Sequence, residues 1–359
     1  MAPVVAMVGL AHPHSQMYLE TLEALDEVGG VVMVDEDGAL ARATADRVAK
    51  AVGTAADLDA ALARPDVTHA LVALPNDRTP AALVRAIEAG KGVLTEKPGA
   101  RTAAELEPVL AALARRPVPF AVAYLNRWTP AIQQIRELVR GGAIGRLTSV
   151  ELRMVTTQVG MRNPALWLFD RRVAGGGILA WLACHWFDAL RYVTGDEYAR
   201  VTAELATTSG EAITVEDTAA VSFRTVGGAL GTMHAGYLLA VGTPGYRGGG
   251  YDIALNLRGT LGAIAYHRGL QDDPLVLESV APGWRSAQRR ELRFTPPASP
   301  GYGGLAGLDF VRAFLAAGPE GPTPADATDA LRVLELLDAI YQAGETGRAV
   351  EVRRRAAPA

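Results

Sequence analysis

Over its first 125 residues the sequence alternates short, continuously apolar runs with stretches of helical period, and few folds accommodate that alternation. Val4–Val8, Val31–Val34, Ala70–Leu74, Val93–Thr95 and Phe120–Tyr124 read as strands. Helices are expected between them, over Met17–Leu25, Ala39–Ala51, Leu58–Ala63, Pro80–Ala89 and Ala103–Ala114. Strands that are apolar throughout, rather than at every second position, bury both faces, and strands separated by helices run parallel. The segment is therefore expected to be a doubly wound α/β sheet with right-handed crossovers.

From about Leu147 the pattern changes. Leu147–Gln158, Arg200–Thr207, Ala219–Thr225, Gly228–Leu238 and Tyr251–Leu257 alternate apolar and polar side chains, as strands do when one face is wet. A helix over Gly177–Val193 interrupts them and another, Ala325–Gly344, follows. We expect two domains. Residues 1–125 form the parallel α/β domain; residues 126–359 form an α+β domain with a large, mainly antiparallel open sheet, with C-terminal residues packing back on the first domain. The Gly-rich stretch Gly242–Gly250 reads as a mobile loop.

Composition narrows the partners. With 49% hydrophobic and 21% charged residues the chain has the balance of a compact α/β enzyme. A net charge of −4 provides no broad positive field for a phosphate backbone, so nucleic acid is not an expected partner. Met1–Leu10 runs into a glycine turn without a basic flank and reads as a strand, not a leader; no apolar run is long enough for a membrane span. The single cysteine, Cys184, suits a reducing cytoplasm, the expected location. No His, Cys, Asp or Glu spacing matches a metal site.

The first strand ends in Gly9-Leu10-Ala11-His12-Pro13-His14, where a dinucleotide-binding Rossmann turn would ideally read G-x-G-x-x-G. Only the first glycine is present. Ala11 still allows a close approach, whereas His14 in the third position implies looser helix packing or a shifted turn. Asp35 ends the second strand, where an acid takes ribose hydroxyls, and Glu36 follows it; two carboxylates there repel a 2′-phosphate and favour NAD over NADP. His12 and His14 are candidates for the pyrophosphate.

Leu74-Pro75-Asn76 ends one strand, and Gly90-Lys91-Gly92-Val93-Leu94-Thr95-Glu96-Lys97-Pro98 holds the next. These segments closely resemble the Gfo/Idh/MocA oxidoreductases. In that family the strand-end Pro-Asn pair borders the nicotinamide, and Glu-Lys-Pro supplies an active-site lysine whose bond to proline is usually cis. The resemblance implies that Leu74, Pro75 and Asn76 line the cofactor, that Glu96 positions the cofactor or Lys97, and that Lys97 contacts the reacting hydroxyl. A cation there stabilises the alkoxide that develops as hydride leaves.

The resemblance continues through Asn126-Arg127 and Gly142-Ala143-Ile144-Gly145 to Gly175-Gly176-Gly177-Ile178-Leu179-Ala180-Trp181-Leu182-Ala183-Cys184-His185-Trp186-Phe187-Asp188. That stretch is similar to the family's glycine-led helix bearing D-x-G-x-H-x-x-D. His185 matches the family histidine, a general base whose ordinary pKa near 6.5 suits neutral pH. Trp181 stands where many family dehydrogenases carry an aspartate, so the usual lysine, aspartate and histidine set is incomplete. Either His185 works alone, or Asp170 or Asp188 substitutes, or the reaction differs. Trp167, Trp181 and Trp186 with Phe169 make an aromatic neighbourhood suited to a core or to a sugar face, and Gln158, Arg162 and Asn163 offer donors to hydroxyls or a carboxylate; Arg127 joins the substrate candidates. His234 and Tyr237 are further candidates.

The expected function is NAD-dependent hydride transfer to or from a sugar, inositol or related polyol, with Lys97 and His185 handling the hydroxyl proton. Two alternatives stand beside it: glycoside processing on bound NAD with no net redox change, and a noncatalytic NAD- and sugar-binding sensor. The resemblance further implies homodimers or homotetramers joined through the open sheet face.

Overall fold

The computed structural model describes residues 2–240, 250–269, 273–319 and 321–355. Apart from Gly250, the Gly-rich Gly242–Gly250 stretch lies outside the described residues. The chain divides into two compact units. One comprises the chain up to Trp128 together with Pro296–Arg332; the other comprises Thr129–Thr295 with Val333–Arg355.

The first unit begins β1 (Val4–Val8), α1 (Ser15–Ala24), β2 (Gly30–Val34), α2 (Gly38–Ala45), β3 (Ala51–Ala55), α3 (Leu58–Leu62), β4 (Val67–Val72), α4 (Thr79–Glu88), β5 (Gly92–Thr95), α5 (Ala103–Arg115) and β6 (Phe120–Val122). The six strands pair in parallel in the order β3-β2-β1-β4-β5-β6. This is the doubly wound Rossmann order, whose ligand crevice opens at the strand C-termini beside the β1–β4 switch point. Val5, Ala6, Met7, Val31, Val32, Met33, Ala70, Leu71, Val93 and Leu94 are all buried, as continuous apolar runs require. β3 is a strand where the sequence pattern suggested the end of a helix over Ala39–Ala51; it is an edge strand with Val52 exposed, so burial leaves little trace in its composition.

The second unit holds α6 (Pro130–Arg140), β7 (Leu147–Thr157), α7 (Arg171–Ala174), α8 (Cys184–Thr194), β8 (Tyr198–Ala206), β9 (Thr218–Thr225), β10 (Leu230–Leu239), β11 (Tyr251–Gly259), β12 (Gly262–Gly269), β13 (Leu275–Ser279) and β14 (Arg289–Leu292). Next come α9 (Gly304–Ala316) in the first unit, α10 (Ala327–Thr346), and β15 (Val350–Glu351) in the second. The sheet order is β14-β13-β12-β11-β7-β10-β9-β8-β15. Its pairs are antiparallel except β7 with β10, which run parallel. Along β9 and β10 buried Ala219, Val221, Phe223, Met233 and Ala235 alternate with exposed Ala220, Ser222, Arg224, Thr232 and His234, so one face is buried and the other is open. Tyr192 of α8 is held to α6 through its hydroxyl, which lies 2.9 Å from Gln133 Nε2 and 2.7 Å from Arg136 Nη1.

The expected helix over Gly177–Val193 is a composite: a π-helical turn at Leu179–Ala183 leads into α8. The helical stretch Arg171–Thr194 has the length and hydropathy of a membrane span, but 83% of its apolar window is buried inside the protein.

Candidate active site

In the first unit the nucleotide turn is built around Gly9. Its φ of +86° suits glycine, and an added Cβ would stand 2.2 Å from the Ala73 carbonyl oxygen, so the β1 end lies directly against the β4 end. Gly9 N–H donates to Val34 O at 3.0 Å, and Ser15 Oγ donates to Gly9 O at 2.6 Å, tying the turn to the start of α1. Asp35 Oδ2 accepts the Leu10 N–H at 2.8 Å while Oδ1 accepts that of Asp37 at 3.0 Å, so the acid at the tip of β2 also braces the glycine turn. Its neighbour Glu36 pairs with exposed Arg78. Leu74 and Pro75 are half-buried, Asn76 is buried, and Thr79 Oγ1 lies 3.2 Å from Leu74 O and 3.0 Å from Pro75 O. Ala11 is exposed at the turn. A close backbone approach, a helix start and a carboxylate at the β2 tip together fit a dinucleotide.

His12 and His14 are both buried. His12 Nδ1 accepts the His14 N–H at 3.1 Å, which leaves the His12 proton on Nε2. His14 Nδ1 lies 2.8 Å from Glu96 Oε1, and the Tyr18 hydroxyl donates to the same oxygen at 2.7 Å. Glu96 Oε2 accepts the Lys97 N–H at 3.0 Å. Burial opposes charge on Glu96, but the hydrogen bond from His14 and the charge of Lys97 hold its carboxyl far below the usual carboxylate range. An ionised carboxylate only accepts, so the proton between the pair sits on His14 Nδ1. Burial keeps both imidazoles neutral: it pushes His14 down, and pushes His12 down to about 3. Burial likewise raises the Tyr18 phenol well above its ordinary value.

Lys97 follows β5, is 1% exposed, and has a cis bond to Pro98, as the family resemblance implies. Tyr302, from the same unit, tilts over His14 with centroids 4.3 Å apart and meets Tyr18 edge-on at 5.1 Å. Sequence reasoning found neither tyrosine as part of this cluster. Tyr18 has the spacing of an ordinary core position on an amphipathic helix, and Tyr302 is 284 residues further along the chain. Arg127, a substrate candidate, is buried and pairs with Asp329 at 2.8 Å.

In the second unit the glycine run starts the helix that carries His185. Gly175 closes α7 with φ +81°; a Cβ on Gly176 would stand 1.7 Å from the Tyr341 hydroxyl oxygen, and one on Gly177 1.9 Å from the Glu216 carbonyl oxygen. The Glu216 carboxylate accepts Gly177 N–H at 2.9 Å, Leu179 N–H at 3.1 Å and the Tyr341 hydroxyl at 3.0 Å. Burial raises the Glu216 carboxyl despite these donors. Glu216 thus caps the composite helix, on which Trp181 sits one turn before His185; they are 2% and 8% exposed. Trp181 packs edge-on against half-buried Trp167 at 5.7 Å. Asp188 is buried, 3.6 Å from Arg191 Nη1, and Asp170 caps α7 by accepting the Arg172 N–H at 2.9 Å.

Gln158 is exposed just past β7. Arg162 is buried, with Nη2 2.6 Å from Thr156 Oγ1, Nε 3.1 Å from Thr157 Oγ1, and its guanidinium 5.3 Å from the centroid of the Tyr237 ring. Phe169 meets the same tyrosine ring at 5.6 Å. Among the described residues no group of three or more His, Cys, Asp or Glu side chains is placed to hold a metal ion.

Residues 4–124 match the family model described as "Oxidoreductase family, NAD-binding Rossmann fold", and residues 132–265 match "GFO/IDH/MocA C-terminal domain". The chain belongs to the Gfo/Idh/MocA oxidoreductase family. Among Gfo/Idh/MocA relatives, it is 28% identical over 303 residues to levoglucosan dehydrogenase of Pseudarthrobacter phenanthrenivorans, covering 73% of this chain and 75% of that one. It is 26% identical over 227 residues to inositol 2-dehydrogenase of Rhizobium meliloti, covering 62% and 64%. Among solved structures, an oxidoreductase domain protein from Kribbella flavida superposes with TM-score 0.84 at 26% identity, over 99% of this chain and all (100%) of that one. Levoglucosan dehydrogenase in complex with NADH and levoglucosan has TM-score 0.83 at 23% identity, over 98% and 100%, a likeness of fold. The first unit is accordingly an NAD-binding Rossmann domain.

Proposed function

We propose that this protein is an NAD-dependent dehydrogenase of a sugar or polyol, in which Lys97 and His185 handle the proton of the reacting hydroxyl. The observation that carries the reading is Lys97 itself: a lysine 1% exposed, at the C-terminal tip of a parallel strand, with its backbone N–H on the carboxylate of Glu96, in a domain of NAD-binding type. A lysine is rarely buried without a task, and the strand tips of a doubly wound sheet are where its ligands bind. The relatives named as dehydrogenases of levoglucosan and inositol support a polyhydroxylated substrate.

Bound nicotinamide supplies the acceptor for the hydride of the carbinol carbon. Lys97 would donate a hydrogen bond to the carbinol oxygen and stabilise its negative charge, while His185 would take the hydroxyl proton as the alcohol becomes a carbonyl. Trp181, buried against Trp167, leaves His185 without the family aspartate one turn before it. Gly9, Ala11, His12, His14, Asp35, Leu74, Pro75, Asn76 and Glu96 form the cofactor side of this proposal; Arg127, Gln158, Arg162, Trp167 and Trp181 form the substrate side.

The test is direct. Purified protein is titrated with NADH by fluorescence, then assayed with NAD against levoglucosan, myo-inositol and a panel of aldoses by the appearance of NADH. Reduction with at least one polyol is expected, and absence of both binding and turnover rejects the reading. Self-association through the open sheet face belongs to the same proposal and is checked by light scattering.

A further inference from the structure

We propose that His14 is a positioning residue for Lys97, acting through the carboxylate of Glu96. The imidazole standing where a dinucleotide turn ideally has its third glycine holds the strand end that carries the lysine. This inference rests on the reading of Lys97 as the catalytic lysine and deepens it.

The backbone at position 14 makes no demand for glycine. His14 sits at φ −94° and ψ −8°, ordinary right-handed space, so what the position contributes is its side chain. That side chain is 3% exposed and reaches the α1 side of Glu96, where Oε1 takes both His14 Nδ1 and the Tyr18 hydroxyl. With two donors on one oxygen the plane of the carboxylate is fixed, and its other oxygen is aimed at the Lys97 N–H. The start of α1 and the end of β5 are thereby joined through one side chain. Losing the imidazole donor leaves Oε1 with the Tyr18 hydroxyl, so the carboxylate can turn about its last torsion and the Lys97 amide loses its fixed acceptor.

Tyr302 keeps the imidazole from swinging away. Its ring covers His14, and its N–H lies 3.2 Å from Met17 O and 3.0 Å from Thr21 Oγ1, so the cover is anchored on α1 itself. The charged and titratable neighbours of the pair are His12, Lys97, Tyr18 and Tyr302, all within the first unit.

Two substitutions separate hydrogen bonding from packing. His14→Leu fills most of the space and donates nothing; His14→Asn is smaller but places an N–H donor where Nδ1 stands. Hydrogen exchange of the Lys97 amide reads the proposed contact without any substrate. His14→Leu is expected to speed that exchange about tenfold or more, the loss of one charge-assisted hydrogen bond, while His14→Asn stays near the wild type. With a polyol that the wild type oxidises, His14→Leu is expected to lower kcat and His14→Asn to restore it.

Protection by leucine but not by asparagine, or equal exchange in all three proteins, overturns the proposal. Where His14→Leu does not fold, Tyr18→Phe removes the second donor from the same oxygen; faster exchange there supports the proposal, and unchanged exchange overturns it. A wild type that oxidises no polyol sinks the functional reading alone, because the amide measurement still decides what His14 does.

Discussion

The hydroxyl of Tyr341 donates to Glu216 Oε1 at 3.0 Å across a separation of 125 residues, and the same carboxylate caps the helix that carries His185. Glu216 therefore satisfies two backbone N–H groups that would otherwise be buried without acceptors.

Removing that cap is expected to cost more than removing its support. Tyr341→Phe should lower the unfolding free energy by about 1 kcal/mol, and Glu216→Ala by roughly 2–4 kcal/mol, since two buried donors then lose their acceptor. Urea titration followed by tryptophan fluorescence measures both. Equal, negligible losses would show that the cap contributes nothing to stability.

Lys97→Met retains most of the aliphatic stem and removes the ammonium. Turnover is expected to fall about 10²–10³-fold or more, with NADH affinity kept within about threefold, because in the proposed chemistry the lost interaction forms with the reacting oxygen. Stopped-flow rates beside equilibrium fluorescence titration check the separation. Weakened NADH binding with unchanged turnover would transfer Lys97 from the chemistry to the cofactor site.

Acid should destabilise the first unit earlier than its carboxylates alone would dictate. His12 is held down to about 3 by burial, so below about pH 6.5 an unfolded chain takes up a proton that the folded one refuses. Stability is thus retained above that range and lost as the pH falls from about 6.5 toward 3, with a slope approaching about 1.4 kcal/mol per pH unit from this group. His14, lowered by the same burial, acts in the same direction. His12→Asn keeps an acceptor for the His14 N–H and removes the titration. Urea unfolding at pH 7, 6 and 5 should show a shallower decline in that variant; identical declines would place the acid sensitivity elsewhere.

Placing at position 181 the aspartate that the family resemblance implies for many dehydrogenases is not expected to raise activity. Trp181 is 2% exposed and packs edge-on with Trp167, so Trp181→Asp opens a cavity and buries a carboxylate together, a loss of roughly 3–5 kcal/mol. Differential scanning fluorimetry should show a clear fall in Tm. A stable variant with faster turnover would mean that the indole only fills a place the chemistry left open.

Much of this was legible in the chain because burial on both faces writes itself as unbroken apolar runs. The parallel sheet apart from its edge strand β3, the glycine turn and the Lys97 strand tip all follow from local pattern. The parts that escaped reading depend on partners far away in sequence. β14 is exposed along most of its length, so no alternation announces it. The parallel pairing of β7 with β10 is set by the path of the chain rather than by either strand. The π-helical turn at Leu179–Ala183 is apolar on every side, and its periodicity cannot be told from that of an ordinary helix. The His14–Glu96 pair was hidden differently: each residue was a candidate by itself, but a missing glycine suggested a loosened turn and not a new bond.

The late return of the chain to its first unit has a consequence for biosynthesis. The N–H of Val122, on the outermost strand of the parallel sheet, donates to Ala325 O at 2.9 Å, Arg127 pairs with Asp329, and Tyr302 covers His14. A ribosome that has delivered every strand of that sheet has about 200 residues still to translate before these closing contacts exist. During elongation the nascent nucleotide site must persist as an unfinished, more loosely held form, and it is completed only once Tyr302, Ala325 and Asp329 have been made.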